Sequence, residues 1–280
     1  MKRDNVFLAI WRCGYPILIH LTVTFLVGFV YMFLVGFRIA FQNAGTMEIM
    51  GIAEQIVSDY TKAALYLLLV SSVISIPVFV LLYRADGKKV QKVYDKETSK
   101  LAWILLVVLA VSMCVSLNLL IGMSGLEKLS KSYQEVADTL YSGGIVLELI
   151  TVGILGPICE ELVFRGLMFQ RLCGYVKPMI AVLVSALIFG IYHGNIVQGV
   201  YAFVLGVVMA FCYGYFKTVW APILIHVVAN ITSVCITEIS AIGNTLGETN
   251  VSIICAILTT LIWIGIVIFL GKKKEKLFCF

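Results

Sequence analysis

The 280-residue chain is 61% hydrophobic and 13% charged, where ordinary soluble domains run at roughly 45–50% and roughly 25%. Together with a mean hydropathy of +1.01 and apolar runs longer than the ~18 residues that mark a bilayer-crossing helix, these values exclude a water-soluble globule. They fit one integral membrane domain over residues 1–280, an all-α polytopic bundle. The formal net charge of +5 does not point to nucleic acid, because the basic clusters flank apolar spans and suit anionic lipid headgroups.

Hydrophobic runs separated by polar breaks predict about eight spans, at 15–37, 63–83, 101–122, 144–168, 179–194, 198–216, 220–240 and 250–270. The first follows Lys2, Arg3 and Arg12, is too long for a signal-peptide apolar region, and ends without a small-x-small cleavage pattern. It is expected to stay as a membrane anchor. The fifth run is short.

Lys and Arg then alternate between sides at each crossing. One side holds Lys2, Arg3 and Arg12, the cluster from Arg84 to Lys100, then Arg165, Arg171, Lys177, Lys217 and the group from Lys272 to Lys276, which is 17 of the 21 basic residues. The other side retains only Arg38, Lys62, Lys128 and Lys131, beside Glu48, Glu54, Asp59, Glu127, Glu135, Asp138, Glu238 and Glu248. Positive charge stays cytoplasmic, so both termini of this multi-pass cell-membrane protein are expected in the cytoplasm. The eight cysteines are scattered through apolar stretches without a C-x-x-C pair and read as packing residues. Cys279 lies too near the end for a prenylation box.

Ionisable groups within spans cost several kcal/mol and need a reason. The fourth span contains Pro157-Ile158-Cys159-Glu160-Glu161-Leu162-Val163-Phe164-Arg165. On a helix Glu161 and Arg165 share a face at i, i+4 and can pair, whereas Glu160 lies about 100° round the axis and lacks that partner. A Glu–Arg clamp explains two of the three charges and leaves Glu160 over. Pro157 frees a backbone carbonyl and predicts a kink.

Two of the three histidines stand near this segment by helix arithmetic. His193 ends the fifth span in Phe189-Gly190-Ile191-Tyr192-His193, and His226 in the seventh has Asn230 one turn later on its face. Counted at about 1.5 Å per residue, Glu160 lies about 21 Å from the Gly174 turn and His193 about 22 Å from Pro178, so the hairpin brings them to one level. His226 and Asn230, about 9 and 15 Å from Trp220, reach that level if the segment from Arg165 to Lys177 projects below the bilayer. Ala186, Gly190 and Gly194 on the fifth span, and Gly206, Ala210 and Gly214 on the sixth, form small-xxx-small stripes suited to close packing.

A carboxylate next to an imidazole can draw a proton from water, a role for Glu160 and His193. His226 and the Asn230 amide are donor types for an oxyanion. Together they describe peptide-bond hydrolysis. No G-x-S-x-G or H-E-x-x-H is present, and neither Cys159 nor Cys173 sits in a nucleophile motif. Glu160, His193 and His226 are also ligand types for zinc with an open position, so a metal-activated water stands as a variant.

Glu160-Glu161-x-x-x-Arg165, Phe189-x-x-x-His193 and His226-x-x-x-Asn230, in that order on separate spans, resemble the three motifs of the CPBP family, the CAAX proteases and bacteriocin-processing enzymes also called the Abi family. The resemblance covers residues 144–240, the catalytic core region. It implies a CAAX-protease-like helical bundle acting as an intramembrane glutamic endopeptidase on a membrane-associated peptide or protein, with no cofactor favoured. In that assignment Glu160 activates water with His193, His226 and Asn230 hold the oxyanion, and Glu161, Arg165 and Phe189 support the site. Two other classes remain open: a non-enzymatic bacteriocin-immunity or regulatory protein binding a peptide in the same cavity, and an ion-coupled transporter using the same groups as a relay.

Overall fold

A computed structural model describes residues 6–43, 49–87 and 99–272. The charges expected on Lys2, Arg3, Glu48, Lys88, Lys89, Lys92, Lys96, Lys273, Lys274 and Lys276, and the tail with Cys279, lie outside the described residues. Among those described there are helices and no strands. They are α1 (Val6–Gln42), α2 (Ile49–Gly87), α3 (Lys100–Ser124), α4 (Leu126–Leu129), α5 (Lys131–Leu140), α6 (Ile145–Leu172), α7 (Pro178–Tyr192), α8 (Ile196–Phe216), α9 (Trp220–Glu238), α10 (Ser240–Gly247) and α11 (Thr249–Lys272).

Six of these, α1, α2, α3, α8, α9 and α11, are long and apolar enough to cross a membrane. The pair α5 and α6, bent by 107° at their junction, adds a seventh if counted as one span. The difference from about eight expected spans lies in α7, which has 15 residues. Its length of about 22 Å falls short of a hydrocarbon core of about 30 Å. The chain is a multi-pass membrane protein, and its first helix faces lipid: Phe25, Phe29, Phe33 and Phe37 are all exposed on α1.

Helix α6 occupies the centre and touches α1, α2, α7, α8 and α9. A helix apolar on every side must be surrounded by protein or lipid, and here every residue from Leu162 to Phe169 is buried. Helices α7 and α8 form a tight antiparallel hairpin, α1 pairs with α2, and α3 packs on α9 and α11. Trp263 on α11 donates from Nε1 to Ser116 Oγ on α3 at 3.0 Å.

The hairpin shows why small residues are needed. A Cβ on Gly190 would meet the Gly199 carbonyl oxygen at 2.7 Å, and one on Gly206 would meet Arg165 Nη2 at 2.9 Å and Ala186 Cα at 3.2 Å. Gly194 departs from the expected stripe. It sits beyond the end of α7 with φ +75°, and its left-handed backbone turns the chain from α7 into α8. That turn satisfies its own polar groups. His193 and Gly194 donate to the carbonyls of Gly190 and Ile191 at 3.2 and 3.1 Å, and Asn195 Oδ1 accepts from Gln198 N at 2.9 Å.

Arg12 and Arg171 meet at one end, beside the last turn of α2. Arg171 donates to Asp86 at 2.6 Å, to the Tyr15 hydroxyl at 2.8 Å and to the Arg12 carbonyl. Arg38 and Asp59 pair at 3.1 Å on the loop side of α1 and α2, away from this cluster. Arg165 is not a loop charge as the sequence tally had it. It is wholly buried, and without it 16 of 20 basic residues fall on the positive side of the tally. The seven described cysteines are free.

Gly190→Ala should cost about 1–3 kcal/mol, because the obstructing atom is backbone and cannot turn aside. Thermal unfolding in detergent measures it. Gly265→Ala, where an added Cβ meets nothing within 4 Å, serves as the control that should not lose stability.

Candidate active site

The charged residues of the fourth predicted span divide as the helix geometry requires. Arg165 Nη1 donates to Glu161 Oε1 at 2.7 Å, with both side chains wholly buried. The same oxygen accepts from His226 Nδ1 at 2.9 Å, a contact that the sequence reading did not foresee. A carboxylate is acceptor-only, so this bond fixes Nδ1 as the protonated nitrogen and leaves Nε2 to face elsewhere. It faces Glu160, whose Oε2 lies 3.9 Å away on a side chain that is 20% exposed.

That separation is too long for a direct hydrogen bond and suits a water held between the two groups. Glu160 and Glu161 therefore differ in more than rotation about α6. One is consumed by structure, and the other lines a cavity.

Phe189 organises the surroundings. The Arg165 guanidinium carbon sits 4.2 Å from the centre of its ring, a cation–π contact in a fully buried setting. His193 and His226 meet the same ring edge-on, with centroids 4.8 and 5.7 Å away. His193 Nδ1 is 2.8 Å from the Phe189 carbonyl. Since a carbonyl only accepts, Nδ1 carries the proton and Nε2 is left as an acceptor.

Asn230 answers a defect created by Pro157. Helix α6 is not a regular α-helix: it widens into π turns over Leu149–Leu155 and Leu162–Phe169, on either side of Gly156–Glu161. The Gly156 N–H bonds to the Thr151 carbonyl, five residues back. In that register the next donor would be residue 157 and its acceptor the Val152 carbonyl, but proline has no N–H. Asn230 Nδ2 takes the place, donating to Val152 O at 2.9 Å. One amide hydrogen of Asn230 is thereby used, leaving the second hydrogen and Oδ1 for the cavity. Single-turn π widenings within helices recur at functional sites.

The cavity has a volume of about 240 Å³. Glu160, Phe189, His193, His226 and Asn230 all line it, as do residues of α4 and α5. Every expected cavity-facing residue is thus brought together, while Glu161 and Arg165 lie beneath it. The imidazole nitrogen that lies within 4 Å of Glu160 is Nε2 of His226, while His193 lines the same cavity.

Sequence reasoning missed a neighbour. His20 on α1, the third histidine, is buried, and its Nδ1 lies 2.7 Å from the Tyr192 hydroxyl. The rings stack at 5.9 Å, and Tyr192 packs edge-on against Phe164 at 5.2 Å. Glu160 is near enough to act electrostatically on His20. A histidine inside an apolar span was the available signal. Glu148, also unflagged, is buried and accepts from Gly144 N at 3.0 Å, capping the start of α6.

Among the described residues, no three His, Cys, Asp or Glu side chains converge on a position that could hold a metal ion.

A multi-pass helical bundle with an acid–imidazole cavity at its centre is the class that fold and site define. Comparison with known proteins narrows it. Residues 142–232 match the family model described as Type II CAAX prenyl endopeptidase Rce1-like. YdiL of Bacillus subtilis (strain 168), provisionally named a membrane peptidase, is 32% identical over 124 residues, covering 44% of this chain and 50% of the relative. MroQ of Staphylococcus aureus (strain USA300), named a membrane-embedded CAAX protease, is 28% identical over 184 residues, covering 61% of this chain and 73% of the relative. The chain spans about half the length of the first of these. No solved structure matches. Residues 142–232, which carry all three motifs, are thus similar to the Rce1-like CAAX peptidase family model.

Two measurements test this construction. Arg165→Met strands a buried carboxylate and should cost about 3–5 kcal/mol in thermal or denaturant unfolding. Asn230→Ala should cost about 1–3 kcal/mol by orphaning the Val152 carbonyl. In a Pro157→Ala background, which restores an N–H, that cost should shrink. Equal costs in both backgrounds would show that Asn230 does not compensate the proline.

Proposed function

We propose that this protein is a membrane endopeptidase that hydrolyses a peptide bond of a membrane-associated peptide or protein through water activated by Glu160. The observation that carries the reading is the division of the adjacent carboxylates. Glu161 is spent on Arg165 and His226, whereas Glu160 faces His226 Nε2 across 3.9 Å in the cavity. The names of the family model and of both relatives support peptidase activity over transport or immunity binding.

In this reading the Glu160 carboxylate takes a proton from water as the water oxygen attacks the scissile carbonyl carbon. His193 Nε2, left as an acceptor by the bond at Nδ1, helps hold the water. The oxyanion that forms accepts from the second Asn230 hydrogen and from His226 Nε2–H. With Nδ1 already protonated, His226 donates at Nε2 only as an imidazolium. That proton makes sense in charge terms: Glu160, Glu161 and Arg165 sum to one negative charge, and an imidazolium neutralises the set in a setting where net charge is expensive. Glu160 then passes its proton to the leaving nitrogen as the C–N bond breaks. No step is routed through a metal. The bilayer supplies the substrate, both termini are cytoplasmic in a cell membrane, and nucleic acid has no part.

Purified protein in lipid nanodiscs, given a membrane-anchored peptide, provides the test. Glu160→Gln, His193→Ala and His226→Ala should each lower turnover by about 10²-fold or more, with turnover of the unaltered protein surviving a chelator. Turnover retained in Glu160→Gln would overturn the assignment.

A further inference from the structure

The far side of the cavity is chemically distinct from the motif residues. Helices α4 and α5 contribute Glu127 and Tyr133, the α5–α6 junction contributes Tyr141, and α8 contributes Tyr201. These groups form a local cluster. Tyr133 donates from its hydroxyl to Glu127 Oε1 at 3.5 Å, and Glu127, Tyr141 and Tyr133 are close enough to interact electrostatically, as are Tyr133, Tyr141 and Tyr201.

No lysine or arginine is among the described residues lining the cavity; the ionisable groups there are Glu127, Glu160, two histidines and tyrosines. The nearby cations point elsewhere. Lys128 and Lys131 are exposed, and Lys131 pairs with Glu135 at 3.8 Å on the outer face of α5. Arg165 is sealed beneath Phe189.

We propose that Glu127, with Tyr133, Tyr141 and Tyr201, forms a subsite for a cationic group of the substrate, a lysine, an arginine or an amino terminus, placed a short distance along the chain from the bond at Glu160. A carboxylate among aromatic rings is a suitable receptor for such a group, since ring quadrupoles and negative charge both attract it, more strongly when water is limited. The same end of the lining disfavours a free terminal carboxylate, which would meet Glu127 and no lysine or arginine. The substrate class is therefore a membrane peptide with a basic residue flanking an internal cleavage site. This deepens the peptidase reading and rests on it for the bond that is cut, but not for the binding.

The test separates the two. Leucine-rich 21-residue helical peptides carrying lysine, norleucine or glutamate at successive positions are titrated against Glu160→Gln protein in nanodiscs of neutral lipid, so that no cleavage intervenes. At one or two positions lysine should bind about tenfold more tightly than glutamate. The ratio should fall to within about twofold when Glu127→Gln is added, and invert with Glu127→Lys. Glu135→Gln, on the outer face of α5, should leave it unchanged. Equal binding of the three peptides, a ratio unaltered by Glu127→Gln, or tighter binding of a peptide ending in a free carboxylate at this end would overturn the subsite. Charge-selective binding without cleavage of any of these peptides by wild-type protein would overturn the peptidase reading and leave the subsite standing.

Discussion

The site depends on one buried oxygen. Glu161 Oε1 accepts from both Arg165 and His226, and at the centre of a membrane bundle neither the carboxylate nor the guanidinium could be left alone. Three features converge to make the pair tolerable. Glu161 and Arg165 are one helical turn apart on α6, Phe189 offers its ring face to the guanidinium, and Gly206 leaves room for Nη2 where any Cβ would collide. An apolar pair of similar volume could pack in this place without loss of stability, as replacements of buried ion pairs elsewhere demonstrate. It could not orient an imidazole. The ion pair is best understood as a device that holds His226 by Nδ1 and so sets where its Nε2 points.

The second constraint is on backbone rather than side chain. Within a bilayer, each freed carbonyl must find a donor inside the protein. Pro157 breaks the hydrogen-bond ladder of α6 three residues before Glu160, the π turns re-space the register, and Asn230 closes the gap from a different helix. Asn230 thus divides its two amide hydrogens, one to the Val152 carbonyl and one left for the cavity. Its position in the cavity is set by the kink, and so the kink and the donor geometry cannot be tuned separately.

Much of this could be read from the residues alone. The i, i+4 spacing of Glu161 and Arg165 predicts their pairing, the leftover Glu160 predicts a cavity, and helix rise brings His193 to its level. What escaped that reading depends on contacts between distant elements. The His226–Glu161 bond joins residues 65 apart, and the Tyr192–His20 contact joins residues 172 apart, beyond any local periodicity. The Val152–Asn230 bond depends on a π register that hydropathy does not encode. Gly194 fits a helical stripe by spacing, yet a chain reversal needs the same residue, and spacing does not distinguish the two uses. The length of α7 was visible as a short apolar run, but its consequence emerges only with its neighbours in place.

That consequence concerns water. In the proposed reading, both water and a peptide must reach a place that lipid keeps dry. Because α7 stops at Tyr192, the turn from His193 to Asn195 sits beside the cavity with polar backbone and side chains, where a full-length span would have continued as apolar surface. Because α5 lies at 107° to α6, its less exposed face, Tyr133, Val136, Ala137 and Leu140, covers the same cavity while Lys131, Glu135 and Asp138 stay exposed. An amphipathic helix in that attitude suits an interface rather than a crossing. The short helix and the transverse one therefore solve a single problem from two directions: one ends early to leave polar groups at depth, and the other shields them from lipid without filling the space that a substrate must enter.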